Sequence, residues 1–146
     1  MAYWLLKTEP DTYGWKDLVS DGKTTWDGVK GGLALKNLAQ MRSGDGAFIY
    51  HTGREKQIVG MAEVAGEPYR DPSQPDARIN LVDLVPIASL EKPVTLRELK
   101  NRAENHSSTG TANPWEGWDL LRIHRLSVVP VSEEQWKAVI KISQGQ

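Results

Sequence analysis

The segments Asp45–Thr52 (DGAFIYHT) and Gln57–Val64 (QIVGMAEV) read as two β-strands that follow each other along the chain. Both are short runs in which apolar and aromatic residues predominate. The loop between them, at 53–56, begins with a glycine, which is typical of the connection in a β-hairpin. These segments therefore predict an antiparallel hairpin, and the elements on either side of it complete the pattern.

On the N-terminal side of the hairpin, one strand and two helices are predicted. Tyr3–Lys7 reads as a short strand. Apolar residues at helical spacing indicate a short helix that begins near Trp15, and a second helix across Ala34–Met41. The first half of the chain therefore alternates irregularly between strands and helices.

On the C-terminal side, Arg78–Ala88 is predicted as a strand, in which Pro86 indicates an edge position or a strand end because proline has no N–H to donate. Thr95 and Ser132 each begin a capping box and so predict two helices, with a last strand at Arg125–Val131 between them. The resulting order lacks the regular strand–helix alternation of a doubly wound sheet. It predicts an α+β fold in which helices flank a small, curved mixed sheet or barrel.

The composition is that of a globular protein, and one domain is predicted over residues 1–146. With 18 Lys+Arg against 19 Asp+Glu, the net charge is −1, so any polyanion must be held by a local patch. The absence of cysteine excludes disulfides, thiolate metal sites and a cysteine nucleophile. The sequence shows neither a secretory signal nor an apolar run near about 18 residues. We therefore expect a cytoplasmic protein without a membrane span.

No motif for catalysis, cofactor binding or metal binding is present in the sequence. Phosphate-binding loops and nucleophile elbows are missing. The histidines, His51, His106 and His124, lie far apart and have no second ligand at helical spacing, so no metal site is predicted. The expectation is a protein that is not an enzyme and needs no cofactor. One enzyme hypothesis stays open, a small-molecule activity that uses His51 and Glu9.

Six tryptophans are the unusual feature of the composition, and one of them lies in a polar stretch. Trp26 precedes a glycine-rich turn, where a flat ring suits stacking on a planar ligand or, alternatively, covers the core. Such stacking contributes about 1–3 kcal/mol per base in proteins that hold single nucleotides. Trp115 and Trp118 lie in a polar loop that either closes over a site or packs on the sheet. Packing is predicted for the remaining three, Trp4, Trp15 and Trp136.

Several blocks resemble the EVE domain family, and they occur in the family's order over nearly the whole chain. The blocks are residues 3–11 (YWLLKTEPD), 26–29 (WDGV), 44–52 (GDGAFIYHT), 59–64 (VGMAEV), 69–72 (YRDP) and 125–131 (RLSVVPV). The resemblance implies a PUA-like fold, a curved sheet or barrel with flanking helices. It also implies binding of a modified nucleobase in nucleic acid, because EVE domains are related to YTH domains, which hold a methylated base in an aromatic cage.

The resemblance also implies a set of site residues. Trp26 matches a cage tryptophan, and Lys7 and Thr8 match a Lys-Ser pair beside the YTH pocket. The second cage aromatic is left open between Tyr69, Trp115 and Trp118. Phosphate contacts are expected from Lys30 and Lys36, together with Lys7. The predicted pocket comprises Lys7, Thr8, Trp26, Asp27, Gly28, Val29, Asn37, Tyr50, His51, Tyr69 and Trp115.

The segment after the Trp26 turn departs from the family pattern. Where the family commonly has Arg-Asn-Tyr-Gln-Ala-Arg-Asn, this chain has Lys30–Lys36 (KGGLALK), which keeps only the basic first residue and Ala34. Contacts that the family makes through the missing side chains would be lost here, with a changed preference or a lower affinity. With so few cations, we also expect a shallow dependence of affinity on salt.

Three functions are therefore carried forward. The first is a non-catalytic module that recognises a modified base in DNA or RNA. The second is an RNA-binding or RNA-processing accessory module, as other PUA-like domains are, and the third is the enzyme that uses His51 and Glu9. The sequence leaves the oligomeric state open, and a monomer is compatible with it.

Overall fold

A computed structural model describes residues 1–106 and 113–145 of the chain. The sequence also predicts a flexible loop over residues 105–117. Residues 107–112 of this loop lie outside the described residues. The elements in chain order are β1 (Tyr3–Thr8), α1 (Trp15–Asp21), β2 (Thr24–Trp26), α2 (Gly32–Ala39), β3 (Gly46–His51), β4 (Gln57–Val64), β5 (Tyr69–Arg70), β6 (Asn80–Thr95), α3 (Leu96–Glu104), α4 (Asp119–Arg122), β7 (Val128–Val131) and α5 (Glu133–Ser143).

The strands form one mixed sheet in the order β2-β6-β4-β3-β1-β7, and β5 pairs with β6 outside this path. Strands β1 and β3 run parallel, whereas the other neighbours are antiparallel. The predicted hairpin is confirmed as β3 and β4. Register shifts interrupt the pairing of β4 with both of its neighbours, and such irregularities bend a sheet. The sheet is curled into a half-barrel flanked by helices, which confirms the predicted α+β fold.

Strand β6 differs from the prediction in length and in the position of its proline. It runs for 16 residues, well beyond the predicted Arg78–Ala88. Pro86 lies inside it, opposite Ala62, so the predicted strand end is wrong. Strand β2 pairs with β6 only at Val82–Leu84, so among the described residues Pro86 has a strand partner on one side only, as an edge position requires. The register between β4 and β6 shifts next to Ala62, and an irregular ladder accommodates a residue that lacks an N–H.

Strand β2 is the element that the sequence pattern missed and that matters most for the site. Its three residues pair with β6, and Trp26 lies opposite Val82. Trp26 is therefore the last residue of a strand rather than part of an exposed turn. No helix within residues 1–106 and 113–145 is long and apolar enough to span a bilayer.

Three tryptophans pack in or against the hydrophobic core. The indole N–H of Trp4 donates to the buried Asp45 carboxylate at 3.0 Å, which satisfies its one polar atom. Trp15 is buried rather than half-buried, and its indole N–H donates to the Ser89 hydroxyl at 2.8 Å. Trp136 is only partly buried and stacks on Phe48, with ring centroids 3.9 Å apart. Packing, as predicted, is the environment of all three.

The two predicted helix starts are confirmed by their caps. The Thr95 hydroxyl accepts a hydrogen bond from the backbone N–H of Glu98 at 3.1 Å, at the start of α3. Ser132 and Gln135 form a reciprocal capping box at the start of α5. These bonds satisfy backbone N–H groups that a helix leaves unpaired at its first turn.

Candidate functional site

A cavity of about 530 Å³ opens where β1 and β2 end, and we call it the Trp26 cavity. Strand β1 contributes its last residues, and the segment between β1 and α1 closes one side. Strand β2 and the turn that follows it form the opposite side. The lining residues are Lys7, Thr8, Glu9, Thr12, Tyr13, Thr24, Thr25, Trp26, Asp27 and Gly28.

Two aromatic side chains form the apolar part of this lining. Trp26 is only 7% exposed, so its ring forms a wall of the cavity instead of projecting into solvent. The ring of Tyr13 meets Trp26 edge-on, with centroids 6.3 Å apart and planes at 82°. The Tyr13 hydroxyl donates to the Asp21 carboxylate at 2.7 Å, which fixes its ring. Sequence reasoning missed Tyr13, because it lies between two elements with no pattern to single it out.

Polar groups of β1 line the cavity beside the two rings. The Thr8 hydroxyl donates to the backbone carbonyl of Tyr13 at 2.6 Å, which leaves its oxygen available as an acceptor. The Lys7 ammonium is half-buried and donates to the carbonyl of His124 at 2.9 Å. Burial lowers the pKa of Lys7 from its usual range, since burial disfavours the charged form.

The turn after β2 supplies the outer rim. Asp27 and Gly28 are exposed and line the cavity. Gly28 has a φ of 74°, a left-handed conformation that a side chain would strain. The structure thus brings together five of the residues predicted for the pocket: Lys7, Thr8, Trp26, Asp27 and Gly28.

Two predicted pocket residues belong to the core instead. Asn37 is buried on α2, and its amide donates to the carbonyl of Val128 on β7 at 2.8 Å. That bond ties the helix to the sheet, so the prediction that Asn37 faces a base is wrong. Val29 is likewise buried in the hydrophobic core, away from the Trp26 cavity.

His51 lies on a different cavity, of about 670 Å³, which the start of α1 borders. Its Nε2 accepts a hydrogen bond from the backbone N–H of Trp15 at 3.0 Å. Its Nδ1 lies 2.9 Å from a carboxylate oxygen of Glu55, and this contact lowers the pKa of Glu55. Because Nε2 accepts, Nδ1 carries the proton, and both ring nitrogens are engaged. These two contacts tie the end of β3 to the start of α1 and to the loop that follows β3.

The enzyme hypothesis required His51 and Glu9 to meet, and they line separate cavities. Glu9 lines the Trp26 cavity, and its carboxylate accepts from the Thr52 hydroxyl at 3.3 Å. Within residues 1–106 and 113–145, no group of three or more His, Asp or Glu side chains could hold a metal ion.

None of the three candidates for the second aromatic lies in the Trp26 cavity. Tyr69 is 42% exposed on β5, and its hydroxyl donates to Asp83 at 2.8 Å. Trp115 and Trp118 are buried and stack on each other with centroids 5.8 Å apart. Trp115 borders another cavity, beside α3. The predictions for Tyr69 and Trp115 are thus corrected, and Tyr13 is the second ring at this site.

Tyr50 lies on a further cavity, of about 350 Å³, which shares Lys7 with the Trp26 cavity. The ring of Tyr50 is buried, with the Lys7 ammonium 5.6 Å from its centroid, and burial raises the pKa of Tyr50 to about 12. The predicted phosphate contacts Lys30 and Lys36 are exposed but line neither of these two cavities.

The sequence model of the EVE domain matches residues 2–142. The chain belongs to the EVE domain family. Thymocyte nuclear protein 1 is similar to this EVE domain along its length: the mouse protein is 29% identical over 99% of the chain and 74% of the relative. The human protein is 27% identical over 99% and 75%.

Solved structures share the fold of this EVE domain. A Rhodopseudomonas palustris protein solved by NMR is 36% identical, with a TM-score of 0.85 over 99% of this chain and 94% of that one. Human THYN1, crystallised in complex with DNA that contains 5-methylcytosine, is 27% identical, with a TM-score of 0.87 over 100% and 99%. These matches confirm the PUA-like fold that the resemblance implied.

Proposed function

We propose that this EVE domain binds a modified nucleobase of DNA in the Trp26 cavity. The observation that carries the proposal is a cavity of about 530 Å³ that combines an aromatic wall with exposed polar groups. That volume lies in the range of small-molecule sites, about 300–1,000 Å³. The family membership and the complex of human THYN1 with DNA containing 5-methylcytosine support the proposal.

The lining offers both kinds of contact that a base requires. The rings of Trp26 and Tyr13 provide apolar surface for the base and for an added methyl group. The Asp27 carboxylate can accept from an exocyclic amino group, and the Thr12 hydroxyl can donate or accept. Because the two rings are nearly perpendicular, a base bound here would be held by its edge and by one face.

The expected preference for a methylated base is modest. A buried CH₂-sized group contributes about 0.8 kcal/mol, which corresponds to about a fourfold difference in Kd. Binding to a paired base requires its extrusion from the duplex, at a cost of a few kcal/mol. We therefore expect single-stranded DNA to bind more tightly than the same sequence in a duplex.

Fluorescence anisotropy with single-stranded oligonucleotides that carry one central 5-methylcytosine or cytosine tests the proposal. The wild type should bind the methylated strand about fourfold more tightly. Asp27→Asn should weaken binding of both strands, because it replaces the charged acceptor at the rim. The matched control is Asp11→Asn, an exposed aspartate that borders the His51 cavity instead.

Three outcomes would contradict the proposal. Equal affinity for the methylated and unmethylated strands would remove base recognition, and equal effects of Asp27→Asn and Asp11→Asn would place binding elsewhere. An RNA strand of the same sequence belongs in the same experiment. Tighter binding of RNA than of methylated DNA would favour the alternative of an RNA-binding module.

Trp26 itself is tested by a conservative change. Trp26→Ala would remove a buried ring, and loss of folding would obscure any loss of binding. Trp26→Phe keeps an aromatic wall but reduces its area, so it should weaken the preference for 5-methylcytosine while the protein stays folded. Thermal unfolding of each variant is the accompanying measurement.

A further inference from the structure

The cavity that Tyr50 lines, beside the Trp26 cavity, concentrates positive charge. Three lysines, Lys7, Lys56 and Lys100, line it, and we call it the lysine cavity. Among the described residues, no carboxylate contributes to its lining. The other lining residues are Tyr50, Thr52, Gly53, Leu96, Leu120 and His124.

These cations are not neutralised by the protein. Within residues 1–106 and 113–145, Lys7, Lys56 and Lys100 form no ion pair, whereas Lys23 and Lys137 each lie within 4 Å of a carboxylate. Lys7 makes its hydrogen bond to a neutral carbonyl, that of His124. One carboxylate lies next to this lining, that of Glu9, which accepts from the Thr52 hydroxyl at 3.3 Å. The three lysines outnumber it, so the lysine cavity keeps excess positive charge in a chain whose net charge is −1.

The lysines reach the cavity from three elements that are tied together. Lys7 lies on β1, and Lys56 ends the loop between β3 and β4. Lys100 lies one turn after Leu96 on α3, so the two residues share a face of the helix. The backbone N–H of Leu96 donates to the carbonyl of Lys56 at 2.8 Å, which holds the start of α3 against the loop.

Lys56 occupies this position in an unfavourable backbone conformation. Its φ is 46°, and no other non-glycine residue among the described residues has a positive φ. Glycine or asparagine adopts this region at lower energy than lysine does. The loop between β3 and β4 thus holds Lys56 at the lysine cavity in a conformation that costs energy.

We propose that the lysine cavity binds a backbone phosphate of the DNA strand whose base occupies the Trp26 cavity. The inference rests on the proposed function, because Lys7 lines both cavities and so places the two sites next to each other. Three ammonium groups carry nine N–H donors, of which Lys7 uses one on the His124 carbonyl, and the others can bond the oxygens of a phosphate. The carboxylate of Glu9, on the Trp26 side, disfavours a phosphate there.

Charge-removing variants test the phosphate site without altering the Trp26 cavity. Lys56→Gln and Lys100→Gln lie outside the Trp26 lining. The matched control is Lys141→Gln on α5, an exposed lysine that, like them, forms no ion pair among the described residues. The Kd for methylated and unmethylated strands is measured from about 50 to 300 mM salt. Each cavity variant should weaken binding of both strands about three- to fivefold, as expected for an exposed ion pair.

The salt dependence provides a second readout. Each lost phosphate contact should reduce the slope of log K against log salt by about 0.7 for single strands. The preference for 5-methylcytosine should stay unchanged in Lys56→Gln and Lys100→Gln, because these residues contact backbone only. A slope in the Lys56→Gln/Lys100→Gln double variant equal to that of Lys141→Gln would overturn the phosphate site.

A glycine at position 56 separates binding from stability. Lys56→Gly relieves the left-handed strain, so its Tm should equal or exceed that of the wild type while its affinity falls like that of Lys56→Gln. If Lys56→Gly binds DNA as tightly as the wild type does, the ammonium group has no role and the proposal is wrong. A lowered Tm would contradict the strain argument for this position.

The nucleoside and its monophosphates distinguish failure of this inference from failure of the proposed function. 5-Methyldeoxycytidine contains no phosphate, so its affinity should be the same for the wild type and the Lys56→Gln/Lys100→Gln variant. Its 3′- or 5′-monophosphate should bind the wild type more tightly than the variant. If the nucleoside does not bind, base recognition is overturned. If the monophosphates bind the wild type and the variant equally well, the phosphate site is overturned.

Discussion

Gly60 is the position at which a single added methyl group should disturb this fold most clearly. It lies on β4, directly beneath the ring of the buried Trp15. A Cβ at residue 60 would lie 2.6 Å from Cδ2 and from Cζ2 of that indole. Real Cβ atoms essentially never approach closer than 3.0 Å, so Gly60→Ala forces either the ring or the strand to move.

The structure limits how Trp15 can move. Favourable carbon–carbon contacts begin at about 3.5 Å. The ring must therefore move by about 1 Å to restore ordinary contact with a Cβ at residue 60. Its indole N–H donates to Ser89 at 2.8 Å, and such a shift would stretch that bond beyond hydrogen-bonding range. Overpacking costs about 1–3 kcal/mol and the lost hydrogen bond about 0.5–1.5 kcal/mol. We expect Gly60→Ala to lower the free energy of unfolding by about 2–4 kcal/mol.

Thermal and urea denaturation measure this effect. At about 3–4 °C per kcal/mol for a chain of this size, the Tm should fall by about 6–15 °C. Gly66→Ala is the matched control, because a Cβ there would meet nothing within 4 Å and its φ is not positive. Trp15→Phe narrows the ring and removes its Cζ2 atom, so Gly60→Ala should cost less in that background. A Tm for Gly60→Ala within about 2 °C of the control would refute the reasoning.

Two further predictions concern stability. Asn37→Leu should lower the free energy of unfolding by about 1–3 kcal/mol, because it leaves the buried Val128 carbonyl without its donor, and urea denaturation would measure it. An unchanged midpoint would mean that this carbonyl finds another donor. Burial raises the pKa of Tyr50 from 10.0 to about 12, so its contribution to stability is complete below pH 10 and is lost as the pH rises to about 12. For such a pKa shift the loss of unfolding free energy is about 2–3 kcal/mol. Unfolding followed across the alkaline range should show this loss in the wild type but not in Tyr50→Phe. An identical pH profile of stability in the variant would contradict the assignment to Tyr50.

The parts of the fold that the sequence predicted correctly are those with local signals. The β3–β4 hairpin follows from two apolar runs around a glycine-containing loop, and the starts of α3 and α5 follow from hydroxyl side chains that cap their first turns. Strand β2 has no such signal, since its three residues become a strand only by pairing with β6, about 58 residues away in the sequence. Pairing at that separation depends on the tertiary structure.

The residues of the candidate site likewise include some that the sequence predicts and some that only the tertiary structure reveals. Lys7, Thr8 and the Trp26 turn follow from the resemblance to the EVE family, and the structure brings them to one cavity. Asn37 has the same hydrogen-bonding groups whether it faces a base or a carbonyl, and its partner lies 91 residues away. Sequence alone therefore could not assign it. Tyr13 was missed because only the tertiary structure sets its ring against Trp26.

The net charge of −1 hides an uneven distribution of paired and unpaired cations over the protein. Lys23, Arg78, Arg122 and Lys137 are paired with carboxylates, so they contribute little to an external field. Three of the lysines that form no ion pair among the described residues, Lys7, Lys56 and Lys100, line one cavity, and Lys7 connects it to the aromatic one. Burial lowers the pKa of Lys7, and a phosphate beside it would favour the charged form. Phosphate binding would thus strengthen the charge of a residue that also lines the base cavity, so each contact supports the other.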